Sequence, residues 1–489
     1  MKTVRDLLPP SEILSSKIPE DAIVSAVSDS THAVVPGALY FALKGSRSDG
    51  HAFIPQALEG GALAVVVESA EAFAACPRAI LVKSTRAALG YAASAWHGSP
   101  TRALKLVGVT GTNGKTTVSY LLRSIWKAEN LRCGLLGTVE YQFGDTIVPA
   151  SLTTPGALLL QSLFAQMVEA QVTHAAMEVS SIALDQHRVA GCYYDVAVFT
   201  NLTPDHLDYH GDMGGYLAAK KRLFNEMGPR VAVLNADDPA SVVLKEATTA
   251  AQTLLFSIRD ASADFGVVSQ TISARGIQAV LKTPVGNIDF HSPLLGWHNL
   301  SNCLAALAAA YATGVEIQAA ARALAESLGA PGRLERVPTS TESPYVFVDY
   351  AHSEDALRNV LESLRRVRGD AGGRIFTVFG CGGDRDRTKR PRMARAVSDL
   401  SDEVILTSDN PRTEDPQAIL NEMESGLPQG RKFFREVDRL KAIELALAQA
   451  KAGDFVLVAG KGHETYQILG TQKVPFDDRE VVRNYYGRD

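Results

Sequence analysis

The run VGVTGTNGKTT, residues 107–117, has residue types and spacing suited to holding phosphate. Gly111, Thr112, Asn113 and Gly114 let backbone N–H groups fold around phosphate oxygens, Lys115 adds a cation, and Thr116, followed by Thr117, offers a hydroxyl to Mg²⁺. A helix starting here adds a field that favours an anion. The strict phosphate-loop spacing requires glycine at 109, where this chain has Val109, so the motif is the variant GxxGxxGKT. Donors for a divalent cation follow. MEVSS carries Glu178, Ser180 and Ser181, and TNLTPDHLDYHGDM carries Asp205, His206, Asp208, His210 and Asp212; Mg²⁺ takes oxygen ligands of this kind. A third group lies near the other end. In DNPR, Asp409, Asn410, Pro411 and Arg412 put an acid, an amide and a guanidinium in one turn. Together they can hold a ligand bearing both an ammonium and a carboxylate. GCGGDRDRTKRP adds Arg385, and GKGHETYQ adds Gly460 and Glu464.

These residues sit at the ends of apolar runs. KLVGVTG reads as a strand and GKTTVSYLLRSIWKAEN as an amphipathic helix; LRCGLLG, THAAMEVSS, YDVAVFTNLT and RVAVLNADD read as further strands. Strand–helix alternation predicts a mostly parallel sheet covered on both faces. ALYFALKG, GGALAVVVES and RAILVKS form an earlier group, and TRAALGYAASAWHG a helix leading to Ser99-Pro100. NLSNCLAALAAAYATG and EIQAAARALAESLG read as helices before Pro331-Gly332. YVFVDYAH, RIFTVFGCGG, EVILTSDNP and DFVLVAGKG then repeat the strand rhythm, each ending in polar or Gly-rich residues. Ligands of open α/β sheets bind beyond the carboxyl ends of strands, so these ends are candidate site loops. The expected fold is α/β in three domains, 1–100, 101–331 and 332–489, in keeping with the 489-residue length.

The net charge of −5 and the lack of a long basic run argue against nucleic-acid and membrane surfaces. No stretch is apolar for long enough to cross a bilayer, and the N-terminal MKTVRDLLPPSEILSSKIPED has no signal-type apolar core. The five cysteines are scattered, with no CxxC pair, which fits a reducing cytoplasm.

GTNGKTT, TTP at Thr153–Pro155, MEVSS, DQHR at Asp185–Arg188, FTNLTPDHLDYHGDM and the following YLAAK together resemble the central domain of the Mur ligases, ATP-dependent enzymes that form amide bonds in peptidoglycan precursors. The resemblance implies a UDP-binding N-terminal domain, a central P-loop ATPase-like domain and a Rossmann-like C-terminal domain. It implies carbamylation of Lys220, with the carbamate, Glu178, His206 and Thr116 serving two Mg²⁺ ions. GWHNLSN resembles the segment on the adenine side, with His298, Asn299 and Asn302. GRLE and VDYAHSEDAL resemble ATP contacts through Arg333, Asp349 and His352, with Arg333 acting on the γ-phosphate as an arginine finger. Residues 27–62 resemble the UDP-binding domain of the branch that adds the third amino acid, which puts Ser28, Ser30, Ser46, Arg47 and Ser48 at UDP-sugar contacts; Thr31 departs from the arginine often found there. Thr153, Thr154, Ser180, Gln186 and Arg188 would hold the UDP-muramoyl dipeptide.

DNPR at this place resembles the motif of ligases that add meso-diaminopimelate. Arg412 can pair with the distal carboxylate of that amino acid, a group lysine lacks. The implied reaction activates the D-Glu γ-carboxylate of UDP-MurNAc-L-Ala-D-Glu as an acyl phosphate, which the diaminopimelate amine then attacks, in a cytoplasmic monomer. Two relatives remain as alternatives: a lysine-adding ligase of the same branch, which DNPR disfavours, and a folylpolyglutamate synthetase, which would lack the UDP domain. A nucleotide switch without catalysis would leave the amino-acid motif without a purpose.

Overall fold

A computed structural model describes residues 2–45, 48–340, 342–369 and 372–487. Ser46 and Arg47, two of the UDP-side candidates, lie outside the described residues. Backbone contacts gather the chain into two compact units: one holds the chain up to Phe265 with Leu304–Ala320, the other Gly266–Cys303 with Ala321–Asp489.

The first unit contains two large sheets besides the short pairing of Lys2–Thr3 with Ile23–Val24. The earlier one runs in the order Ile13–Ser16, Ala79–Val82, Ala64–Val67, Ala38–Phe41 and Ala26–Ser28. All neighbours are parallel except the first pair. Its side chains alternate between two cores: Leu39, Phe41, Val66 and Ile80 face one, Tyr40, Ala42, Val65 and Val67 the other. That period of two, apolar on both faces, is what a doubly covered parallel strand requires. The helix Thr85–Trp96, capped by Ser84, closes the first of these faces.

The second sheet has a parallel centre in the order Cys133–Leu136, His174–Glu178, Lys105–Thr110, Val196–Phe199, Val231–Asn235 and Gln252–Ser257. An antiparallel hairpin, Glu140–Phe143 with Thr146–Pro149, extends its edge. Lys105–Thr110 lies between His174–Glu178 and Val196–Phe199 in this order, so three strands end together around the phosphate-binding motif. The helix Lys115–Ala128 follows at once and buries Val118, Leu121, Leu122, Ile125 and Trp126.

In the second unit, Phe265–Ser273, Gly276–Thr283 and Gly286–Ser292 form an antiparallel meander. Each two-residue connection returns through a glycine at positive φ, Gly276 or Gly286, that opens the next strand. The sequence reading assigned no strands there. The last sheet has the order Glu335–Val337, Tyr345–Asp349, Phe455–Ala459, Ile375–Phe379, Glu403–Leu406 and Phe434–Arg435, parallel except at the first pair. Phe347, Phe379, Leu406 and Leu457 enter one core, and Val346, Val348, Phe376, Val378, Ile405 and Val458 the other. Among the described residues no helix is long and apolar enough to cross a membrane.

Candidate functional site

The phosphate loop is a tightly bonded turn. Gly111 has φ +148°, and a Cβ there would collide with the Thr200 hydroxyl. Gly114, at φ +87°, opens the helix. Thr200 Oγ1 donates to the Asn113 carbonyl at 2.6 Å, and Asn113 N–H donates to Asn201 Oδ1 at 2.9 Å. Lys115 Nζ donates to the carbonyls of Gly111 and Thr112 at 2.9 and 2.8 Å. Thr112 Oγ1 is 3.2 Å from the Tyr216 hydroxyl and donates to the Thr203 carbonyl at 3.1 Å, so the acidic loop is tied to the phosphate loop.

Lys220 lies on the helix Met213–Asn225, only 1% exposed, while neighbouring Lys221 is half-buried. Its Nζ donates to the Gly111 carbonyl at 2.9 Å and sits 4.3 Å from the centre of the Tyr216 ring. Burial, reinforced by the charge of Lys115, brings its pKa down to about 6. The Lys220 side chain therefore carries a largely neutral amine at pH 7. His206, at φ +52°, is exposed and meets Tyr216 edge-on at 6.3 Å, next to Asp205. His210 is committed to Ser181 Oγ at 2.9 Å.

Glu178 is fully buried. Its carboxylate accepts from Thr116 Oγ1 at 2.9 Å, from Thr138 Oγ1 at 3.0 Å and from Thr138 N–H at 2.8 Å. Gly137 is required here, because a Cβ would strike the carboxylate. Thr138 was missed by the sequence reading; it lies 40 residues from Glu178 and no local motif marks it. Among the described residues no three His, Cys, Asp or Glu side chains cluster to form an all-protein metal cage. Mg²⁺ does not need one: it commonly takes one or two carboxylates, several waters and phosphate oxygens. The paired Thr116 hydroxyl and Glu178 carboxylate are hard oxygen donors of that class, so the residues fit the ion.

The dipeptide candidates adjoin this group. Thr153 Oγ1 is 3.1 Å from Thr138 Oγ1, and Thr154 Oγ1 donates to the Glu178 carbonyl at 2.7 Å. Ser180 caps the short helix Ser181–Asp185, and its N–H donates to Thr154 Oγ1 at 3.1 Å. Arg188 donates twice to Gln186 Oε1, at 3.1 and 2.7 Å, and once to the Thr154 carbonyl at 3.0 Å. Gln186 reaches the Tyr209 hydroxyl, which donates to Asp185. Ser28 ends a strand of the N-terminal sheet and Ser30 precedes the short turn Thr31–Ala33, the two bonded through Ser28 Oγ; Ser48 is exposed and its carbonyl accepts from Gly45 N–H.

In the second unit, Asn299 and Asn302 are buried and bonded, with Asn302 Nδ2 donating to Asn299 Oδ1 at 3.1 Å. His298 and Trp297 line a cavity of about 340 Å³ with Ile272, Gly296, Ser363, Arg366 and Val367. Asp349 holds two backbone N–H groups, those of Leu334 at 2.5 Å and Ala351 at 2.7 Å. Burial pushes its pKa up, opposed by the charge of Arg333. The Arg333 guanidinium lies 5.2 Å from the Tyr350 ring centre, with its Nε unbonded. His352 is exposed beside the same ring, at 4.7 Å.

Three loops meet at the carboxyl edge of the last sheet. Arg412, at φ +52°, donates through Nη1 to the Gly383 carbonyl at 2.8 Å, and its N–H donates to the Ile468 carbonyl at 3.1 Å. Gly382 leaves space for that guanidinium, and the stem of exposed Arg385 borders the same spot. Asn410 Nδ2 donates to Glu464 Oε2 at 3.0 Å. Asp409 is buried, its Oδ1 has no hydrogen-bond partner, and burial raises its pKa. Gly460, at φ +116°, stands 3.9 Å from that carboxylate, measured from where a Cβ would be. Beneath the loops lies a fully buried ion pair: Arg439 donates to both oxygens of Asp478, at 2.8 and 2.7 Å, and also to the carbonyls of Ser408 and Ala459. Lys461 and this pair were absent from the sequence reading. A lysine between glycines looks exposed, and the members of the pair are 39 residues apart.

Three family profiles match the chain: "Mur ligase family, catalytic domain" over residues 24–97, "Mur ligase middle domain" over 109–310 and "Mur ligase, glutamate ligase domain" over 332–462. A UDP-N-acetylmuramoyl-L-alanyl-D-glutamate–2,6-diaminopimelate ligase of Gloeobacter violaceus is 48% identical over 95% of this chain and 94% of its own length. One of the same description from Listeria monocytogenes is 42% identical over 98% of both. A solved structure of such a ligase superposes with TM-score 0.76 at 34% identity, covering 100% of this chain and 99% of that one. The fold also matches a MurF ligase of Thermotoga maritima solved in complex with ADP, with TM-score 0.59 at 20% identity over 96% and 99% of the two chains.

Proposed function

The chain belongs to the Mur ligase family, and from that premise we propose that it is an ATP-dependent ligase joining meso-2,6-diaminopimelate to the D-Glu γ-carboxylate of UDP-MurNAc-L-Ala-D-Glu in peptidoglycan precursor synthesis. The observation that carries the amino-acid choice is the loop edge where Asp409, Asn410, Arg412 and Glu464 converge. A guanidinium for a carboxylate and a buried acid for an ammonium match the zwitterionic far end of diaminopimelate. The matched segments 24–97, 109–310 and 332–462 support the division into domains 1–100, 101–331 and 332–489.

The proposed mechanism begins with binding. Gly111 to Thr117 receive the phosphates of ATP, with Lys115 able to leave its carbonyl partners for a phosphate oxygen. His298, Asn299 and Asn302, beside the cavity at Trp297, take the adenine end. Arg333, Asp349 and His352 serve the phosphate end. Thr116, Glu178 and His206 would hold Mg²⁺, which would offset charge on the transferring phosphoryl group. The neutral amine of Lys220 is the form that can add CO₂ with loss of a proton, and the resulting carbamate would supply a further oxygen donor for a second Mg²⁺ ion. Ser28, Ser30, Ser46, Arg47 and Ser48 bind the UDP end, while Thr153, Thr154, Ser180, Gln186 and Arg188 orient the dipeptide. The γ-carboxylate then attacks the γ-phosphorus to give an acyl phosphate and ADP. An uncharged amine of diaminopimelate attacks the acyl carbon, the C–O bond to phosphate breaks, and the amide nitrogen gives up one proton as phosphate leaves. Positioning supplies much of the rate in such a sequence. Arg385, Pro411 and Gly460 shape the amino-acid end around Arg412. UDP-linked and ATP substrates fit an enzyme that works in the cytoplasm.

The test is phosphate release with ATP, Mg²⁺, bicarbonate and UDP-MurNAc-L-Ala-D-Glu, with meso-diaminopimelate and L-lysine offered separately. Release is expected with diaminopimelate, at a kcat/KM higher than with lysine by on the order of 10⁴. Equal use of lysine would overturn the reading of Arg412.

A further inference from the structure

Lys461 is fully buried yet has no part in the mechanism above. Its Nζ lies 3.0 Å from Glu464 Oε2, 3.2 Å from Asn410 Oδ1 and 3.7 Å from Asp409 Oδ1. A buried ammonium requires compensating acceptors, and these three all belong to the loops proposed to bind the amino acid. The contacts are unequal. Glu464 Oε2 accepts from both Lys461 and Asn410 Nδ2. Asp409 Oδ1 lies beyond hydrogen-bond reach and has no other partner.

We propose that Lys461 is a specificity-determining positioning residue: it occupies Glu464, orients the Asn410 amide, and leaves Asp409 as the carboxylate open to a ligand ammonium. The proposal rests on the diaminopimelate reading of these loops.

Asn410 Oδ1 accepts from Lys461 and from the Ile468 N–H at 2.9 Å, while Nδ2 donates to Glu464. Turning the amide over would set its N–H₂ group against an ammonium and an N–H, and its oxygen against a carboxylate. Lys461 therefore helps fix the middle of the DNPR turn. Without Lys461, buried Asp409, with only Arg439 left as a charge to offset it, and half-buried Glu464 would both face the ligand and favour the protonated form of every nearby amine. The attacking amine must be uncharged. With Lys461 in place, one acid is already matched, and the site is biased towards holding one ammonium.

The experiment is three-substrate steady-state kinetics on the full chain with Lys461→Met, Glu464→Gln and the double variant. Lys461→Met should raise the KM for diaminopimelate by about ten-fold or more, with the KM values for ATP and the UDP substrate unchanged within about two-fold. It should also reduce the preference for diaminopimelate over L-lysine. In the Glu464→Gln background the same substitution should cost markedly less, because the charge that Lys461 offsets is gone. Strictly additive losses would overturn the proposal, as would an unchanged diaminopimelate KM, or three KM values rising together with a lower Tm. Should Lys461→Met alone not fold, the double variant decides, since removing both charges must restore folding. Wild-type turnover with diaminopimelate, measured first, tests the underlying reading separately from the variant series.

Discussion

At Lys220 the chain buries an amine among a carbonyl, a tyrosine ring and a second lysine. That arrangement fits the role proposed for Lys220 and works against stability. The pKa is about 6 in the folded protein against 10.5 for an ordinary lysine. Between those values the unfolded chain binds a proton that the folded protein does not, so folding is penalised. The penalty is full below the lower value and disappears as pH rises to the upper one. Lys220→Met removes the amine and keeps its bulk. It should abolish ligation while raising Tm at pH 7 by about 2 °C or more, and the gain should shrink by pH 9. Calorimetry at the two pH values checks this; a lower Tm at pH 7 would contradict it. The sequence pointed to Lys220 rather than Lys221 only through its spacing from HLDYHGDM, and the burial that separates the two is a property of the folded helix.

At the scale of elements, apolar runs bounded by glycine or polar residues were legible. KLVGVTG, THAAMEVSS, YVFVDYAH, RIFTVFGCGG, EVILTSDNP and DFVLVAGKG all form strands, and each delivers a candidate residue at or near its end. The meander over 265–292 was not legible, because its half-exposed strands lack the solid apolar runs of the parallel centre. Supports that join distant segments were hidden too. Thr138 reaches Glu178 and Arg439 reaches Asp478 only after the sheets assemble. Arg439 is a strong case, for it binds an acid and the carbonyls at the ends of two site strands. Arg439→Ala would leave Asp478 as a buried, unpaired acid. The expected loss is about 3–5 kcal/mol, read from urea unfolding, together with a weaker grip on diaminopimelate. A loss below about 1 kcal/mol would mean that the pair contributes little.

For the molecule as a whole, residues 332–489 contain a six-stranded sheet with a core on each face, one of which also takes in Leu295 and Ala274 from the preceding chain. A domain of that size buries enough surface to fold alone. Expressed separately, this segment should give one cooperative unfolding transition by circular dichroism; a broad, non-cooperative loss of signal would show that it depends on the preceding chain. The organisation of this segment also bears on how the family diversifies. Its cores are built from strand interiors such as Val346, Phe376, Ile405 and Val456, whereas the groups proposed to face the ligand stand on turns at one edge. Mutation can therefore try new side chains on those turns while the scaffold stays under its own, separate selection. A lineage needing a different amino acid in its cell wall can reach it by rewriting three short loops, inheriting the ATP machinery unchanged.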